Sequence, residues 1–116
     1  MIDRIISRGD VVIPAPTMAE ALGVCGRRGY RRPIEDLEAD LVQLGVKVEA
    51  FTEADTIRAA ELWHLPPDRR RDSLSFGDAQ CLAVGERLGH MIVTGDGYWE
   101  LLHKDGQIRV PVLLFR

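Results

Sequence analysis

The chain has 116 residues, a net charge of −3, and 46% hydrophobic and 28% charged residues. That balance suits one globular domain over 1–116, and it argues against any chain-wide attraction for nucleic acid, so RNA binding would need local basic patches. Cys25 and Cys81 lie far apart with no CxxC or Cys/His cluster, which speaks against zinc or a disulfide framework, and no apolar run approaches a membrane span or a secretory signal.

In chain order, Ile2, Ile5 and Ile6 have helical spacing, and Gly9 ends the pattern. Val11 to Ile13 form a short apolar run suited to a buried parallel strand, closed by Pro14 and Pro16. A helix is predicted from near Thr17, with Met18, Leu22 and Cys25 on one face, fraying at Gly26 to Gly29. Pro33 introduces a second helix with the stripe Ile34, Leu37, Leu41 and Leu44, and Gly45 is its C-terminal cap. Val46 to Phe51 alternate as a strand. Thr52 and Asp55 have capping-box spacing and open a helix to about Trp63.

A loop rich in Pro, Arg and Asp follows from Leu65 to Ser73. Ser75 begins the next helix, with Ala79, Leu82 and Ala83 inward and Gly89 at its end. Met91 to Thr94 is a strand, Gly95-Asp96-Gly97 a turn, Tyr98 to His103 a short helix, and Val110 to Leu114 the last strand. Strands alternating with helices imply an α/β fold, a three-layer arrangement with a parallel sheet, and ligands in such sheets bind beyond the carboxyl ends of the strands.

Three acids then stand out: Glu20, Asp78 and Asp96, each among small residues. Hard divalent cations take oxygen ligands, and phosphodiester cleavage uses such a cation to stabilise phosphate charge and activate water. Each acid also admits a purely structural explanation. Asp78 lies three residues after Ser75, as in a capping box; Glu20 sits in a first helical turn; Asp96 lies between turn glycines. Spacing alone leaves both explanations open.

The segments around these acids resemble the PIN domain, and in particular VapC-type toxins. The resemblance is carried by Leu74-Ser75-Phe76-Gly77-Asp78-Ala79, by Ile92-Val93-Thr94-Gly95-Asp96-Gly97-Tyr98-Trp99, and by Ala15-Pro16-Thr17-Met18-Ala19-Glu20-Ala21-Leu22. It implies a five-stranded parallel sheet flanked by helices. It also implies a Mg2+ or Mn2+ site built on Glu20, Asp78 and Asp96, with Thr94 and Ser75 in support. The implied activity is endonucleolytic cleavage of RNA; the expected location, from the lack of a membrane span or secretory signal in the sequence, is the cytoplasm. The implied partners are a cognate antitoxin and a second copy of the chain, with no membrane association.

One departure bears on activity. The family opens with a hydrophobic strand ending in aspartate, before the strand that matches Val11 to Ile13. Asp3 is too close to Glu20 to fill that place, because a strand, a helix and another strand do not fit between them. The expectation is therefore a chain truncated at its N-terminus relative to the family. The alternative function is a catalytically impaired PIN-fold module that binds an antitoxin, RNA or itself.

Two basic clusters, Arg27-Arg28 with Arg31-Arg32 and Arg69-Arg70-Arg71, are either solvated charge or contacts for RNA phosphates. His64, His90 and His103 do not cluster, and neither GxSxG nor a Walker lysine is present. Tyr98 and Trp99 are expected to anchor their helix, with base stacking as the other option.

Overall fold

Proline and glycine set most of the element boundaries. The computed structural model describes residues 11–29, 31–67 and 72–114. The chain forms two compact units, Met1–Ala50 and Phe51–Arg116.

In the first unit, β1 (Val12–Pro14) leads directly into helix α1 (Ala15–Arg27). Pro14 is both the last strand residue and the N-cap, and Pro16 occupies the first helical turn. A proline costs nothing there, because the first-turn N–H groups have no intrahelical acceptor. The helix therefore starts two residues before Thr17, the start expected from sequence.

Helix α2 (Ile34–Gln43) carries Glu35 and Asp36 in its first turn, where carboxylates favour the dipole. It ends as expected at Gly45, with φ of 99°. The Gly45 N–H donates to the Val42 carbonyl and the Val46 N–H to the Leu41 carbonyl, the paired bonds of a Schellman motif. β2 (Lys47–Glu49) pairs in parallel with β1, with Val12 opposite Lys47 and Ile13 opposite Val48.

The core of this unit is Met18, Leu22 and Val46, with Val11, Ile13, Leu37 and Leu41 packed against it. Only half of the predicted α2 stripe faces that core, for Ile34 and Leu44 are exposed.

The second unit opens with the Thr52–Asp55 capping box on a 3-10 turn, Glu53–Asp55, which runs into α3 (Thr56–Trp63). Helix α4 (Phe76–Leu88) is capped by Ser75 and ends at Gly89, whose φ of 68° suits glycine. After it come β3 (Ile92–Thr94), α5 (Gly97–Lys104) and β4 (Val112–Leu114). β3 and β4 pair in parallel, with Thr94 opposite Leu114.

Leu62, Ala79 and Leu82 are fully buried in the core, together with Ile92, Trp99, Leu102 and Ile108. The fold is thus α/β with parallel strand pairs, as the alternation of elements implies. Among the described residues the strands form two such pairs. No helix among the described residues is long and apolar enough to cross a membrane.

Candidate functional site

The carboxyl end of β3 builds the best-defined part of the site. Thr94, 7% exposed, closes the strand. Its hydroxyl oxygen accepts a 3.0 Å hydrogen bond from the Asp96 N–H, which tightens the turn at Gly95. Asp96 is the N-cap of α5, and its Oδ1 accepts from the Tyr98 N–H at 2.9 Å. Helix α5 thus begins at Gly97, one residue earlier than the sequence reading placed it. The residue read from sequence as a turn acid proves to be a helix cap with a side chain fixed in direction.

Asp78 is held at the start of α4. The Ser75 hydroxyl accepts from the Asp78 N–H at 3.1 Å, and Asp78 Oδ2 accepts from the Ser75 N–H at 3.4 Å. The capping-box reading of Ser75 and Asp78 is therefore correct. It does not occupy the whole carboxylate, because Asp78 Oδ1 and Asp96 Oδ2 make no hydrogen bond among the described residues. Each helix start leaves one hard oxygen donor uncommitted.

Glu20 belongs to the first unit, exposed in the second turn of α1. The earlier helix start corrects the first-turn placement expected from sequence. The first turn of α1 holds no acid, and a dipole contribution fades beyond it. The helix-start explanation for Glu20 accordingly loses its basis. Within each unit, no three His, Cys, Asp or Glu side chains among the described residues gather closely enough to hold one ion.

The basic clusters are only partly described. Arg27 ends α1 and Arg28 is its C-cap, both exposed. Arg69, Arg70 and Arg71 lie outside the described residues. His64 and His90 are exposed, and His103 Nδ1 lies 3.1 Å from the Ile108 carbonyl, a structural contact. Tyr98 and Trp99 are buried at 8% and 7% exposure, so they anchor α5 and offer no face to a base. Trp99 Nε1 finds no partner among the described residues.

Sequence reading missed a pair of crossed ion pairs that hold the Asp78 helix. Asp55, 1% exposed, accepts from Arg87 Nε at 2.7 Å. Arg58 Nε and Nη2 donate to both oxygens of Glu86, at 2.5 and 3.1 Å, and Nη2 also reaches the Gln107 carbonyl at 2.6 Å. Glu86 Oε2 accepts in addition from the Arg109 N–H at 2.9 Å. Burial raises the Asp55 carboxyl pKa. The hydrogen bonds from Arg87 and Thr52 and the Arg87 charge outweigh it, and the group is held below the usual aspartate value. The available signal was charge order: Asp55 and Arg58 on one helical segment face Arg87 and Glu86 on another, in reversed sequence.

The two uncommitted carboxylate oxygens fit a hard cation in chemical type. Mg2+ commonly takes one or two protein carboxylates and fills its remaining positions with water and phosphate oxygens. The PIN domain family model matches residues 2–104. No curated protein matches the chain.

Proposed function

The chain belongs to the PIN-domain family, whose members are generally nucleases, and from that premise we propose that it is a VapC-like, metal-dependent endoribonuclease. The observation that carries this reading is the pair of fixed helix-start carboxylates, Asp78 and Asp96, each with one oxygen uncommitted among the described residues. The family match spans both units, and we read them as one PIN domain.

In this reading Asp78 and Asp96 hold Mg2+ or Mn2+, and Glu20 is the third carboxylate. The ion, when bound, supplies charge stabilisation at the scissile phosphate and lowers the pKa of water. The chain's own residues do the positioning. Thr94 and the Tyr98 N–H aim Asp96, while Ser75 aims Asp78. The arginines Arg27, Arg28 and Arg69 to Arg71 are the proposed contacts for RNA phosphates on a chain of net negative charge. An antitoxin and a second copy of the chain are the proposed protein partners.

A second reading is favoured by one observation: among the described residues of neither unit do three potential ligands gather. It makes the chain a PIN-fold module that binds RNA or an antitoxin without cutting. Calorimetric titration with Mn2+ separates the two. The nuclease reading expects saturable binding that falls at least tenfold in Asp78→Asn and Asp96→Asn, since a tenfold change is only about 1.4 kcal/mol. Equal binding by wild type and both variants would favour the non-cutting module.

A further inference from the structure

Two of the described aromatic residues are exposed, and they touch. Trp63, the last residue of α3, is 57% exposed, and Phe76, the first of α4, is 51% exposed. Their ring centroids lie 5.0 Å apart at an interplanar angle of 52°. Exposing two large rings side by side forfeits burial that the core gives Tyr98 and Trp99.

We propose that Trp63 and Phe76 form a stacking platform for an unpaired base of single-stranded RNA, at the helix start that also carries Asp78. The ligand's identity as RNA rests on the nuclease reading; the platform rests on the two rings.

Three features favour a nucleic-acid base over a protein partner. The patch is narrow: its chain neighbours His64, Ser73 and Ser75 are exposed and polar, whereas a protein interface wants roughly 800 Å² per partner. A base is flat, and every base has a π-face to lay on an aromatic ring. The chain joining the two rings also carries Arg69, Arg70 and Arg71 against Asp68 and Asp72. The platform itself needs only Trp63 and Phe76.

The location adds a consequence. Phe76 and Asp78 share the first turn of α4. A base held on Phe76 brings its own backbone to the helix end that carries Asp78, so the platform would choose which phosphate meets the carboxylates. Selection by stacking is tolerant of base identity and demands an unpaired nucleotide.

The test is fluorescence-anisotropy titration of dye-labelled oligoadenylate with the full chain in EDTA, where cleavage cannot intervene and the label reports binding by wild type and variants alike. Trp63→Ala and Phe76→Ala are each expected to weaken affinity about fivefold or more, with Trp63→Phe within about twofold of wild type. An abasic ribose-phosphate oligomer should bind wild type and Trp63→Ala alike. Circular dichroism confirms that each variant is folded.

Unchanged affinity in both alanine variants overturns the platform, as does a wild type that fails to bind RNA. Loss of self-association in Trp63→Ala with RNA affinity intact also overturns it and assigns the rings to protein contact. If the binding pattern holds but no metal supports cleavage, the nuclease reading falls and the platform stands. If Trp63→Ala cleaves with wild-type KM, the platform falls and the nuclease reading stands.

Discussion

Asp55 shows how a residue's surroundings set its charge. It is almost fully buried, yet Arg87 and the Thr52 cap hold its carboxyl below the ordinary aspartate range. A pKa lowered by folding gives stability that is complete above the unfolded value, about 3.9, and is lost as pH falls through the folded one. Asp55→Asn is expected to cost about 2–3 kcal/mol at pH 7, because it removes the buried carboxylate charge that Arg87 Nε donates to. The gap between wild type and variant should close progressively below pH 4, and urea melts at both pH values measure it. Asp78→Asn should behave differently. Asparagine also serves at helix starts, so only a dipole contribution of about 0.3–1 kcal/mol is at stake in stability, while metal affinity is expected to fall far more. Unchanged metal affinity in that variant would leave Asp78 with its cap alone.

At the scale of elements, two helical glycines test the packing from opposite directions. A Cβ at Gly23 in α1 would meet no atom within 4 Å, whereas one at Gly85 in α4 would come within 3.0 Å of both Cγ1 and Cδ1 of Ile92. Gly23→Ala should therefore stabilise by about 0.5–1 kcal/mol through lower backbone entropy in the unfolded chain. Gly85→Ala should destabilise by about 1–3 kcal/mol, as the buried Ile92 side chain must shift to admit the methyl group. Thermal melts should rank Gly23→Ala above wild type and Gly85→Ala below it.

Element boundaries were legible in the sequence because Pro33, Gly45, Ser75 and Gly89 each act locally. Helix α1 starts two residues before the position its sequence predicts, since Pro16 fits the close of a strand and a first helical turn equally well. Of the candidate site, the Ser75–Asp78 box was legible for the same local reason. What pattern reading could not reach was long-range. The Asp55–Arg87 and Arg58–Glu86 pairs join residues 32 and 28 positions apart, and the strand registers depend on partners that no periodicity names.

For the whole molecule, a net charge of −3 means that affinity for RNA must come from particular basic side chains. Replacing Arg69, Arg70 and Arg71 together is expected to weaken RNA binding without sequence preference. The salt dependence should flatten by about 0.7 log units per log salt for each lost single-strand phosphate contact. An unchanged slope would return these arginines to solvated loop charge.

The central claim is that the fixed carboxylates of Asp78 and Asp96 serve RNA cleavage as well as helix capping. Incubation of the purified chain with a structured RNA in Mg2+ or Mn2+, beside EDTA and the Asp96→Asn variant, tests it most directly. Asparagine keeps the N-cap acceptor, so the variant should stay folded. The account predicts cleavage that needs metal and falls by at least two orders of magnitude in Asp96→Asn, about 2.7 kcal/mol of transition-state stabilisation. Cleavage at the wild-type rate in Asp96→Asn, or a folded wild type that cuts no RNA in either metal, would contradict it.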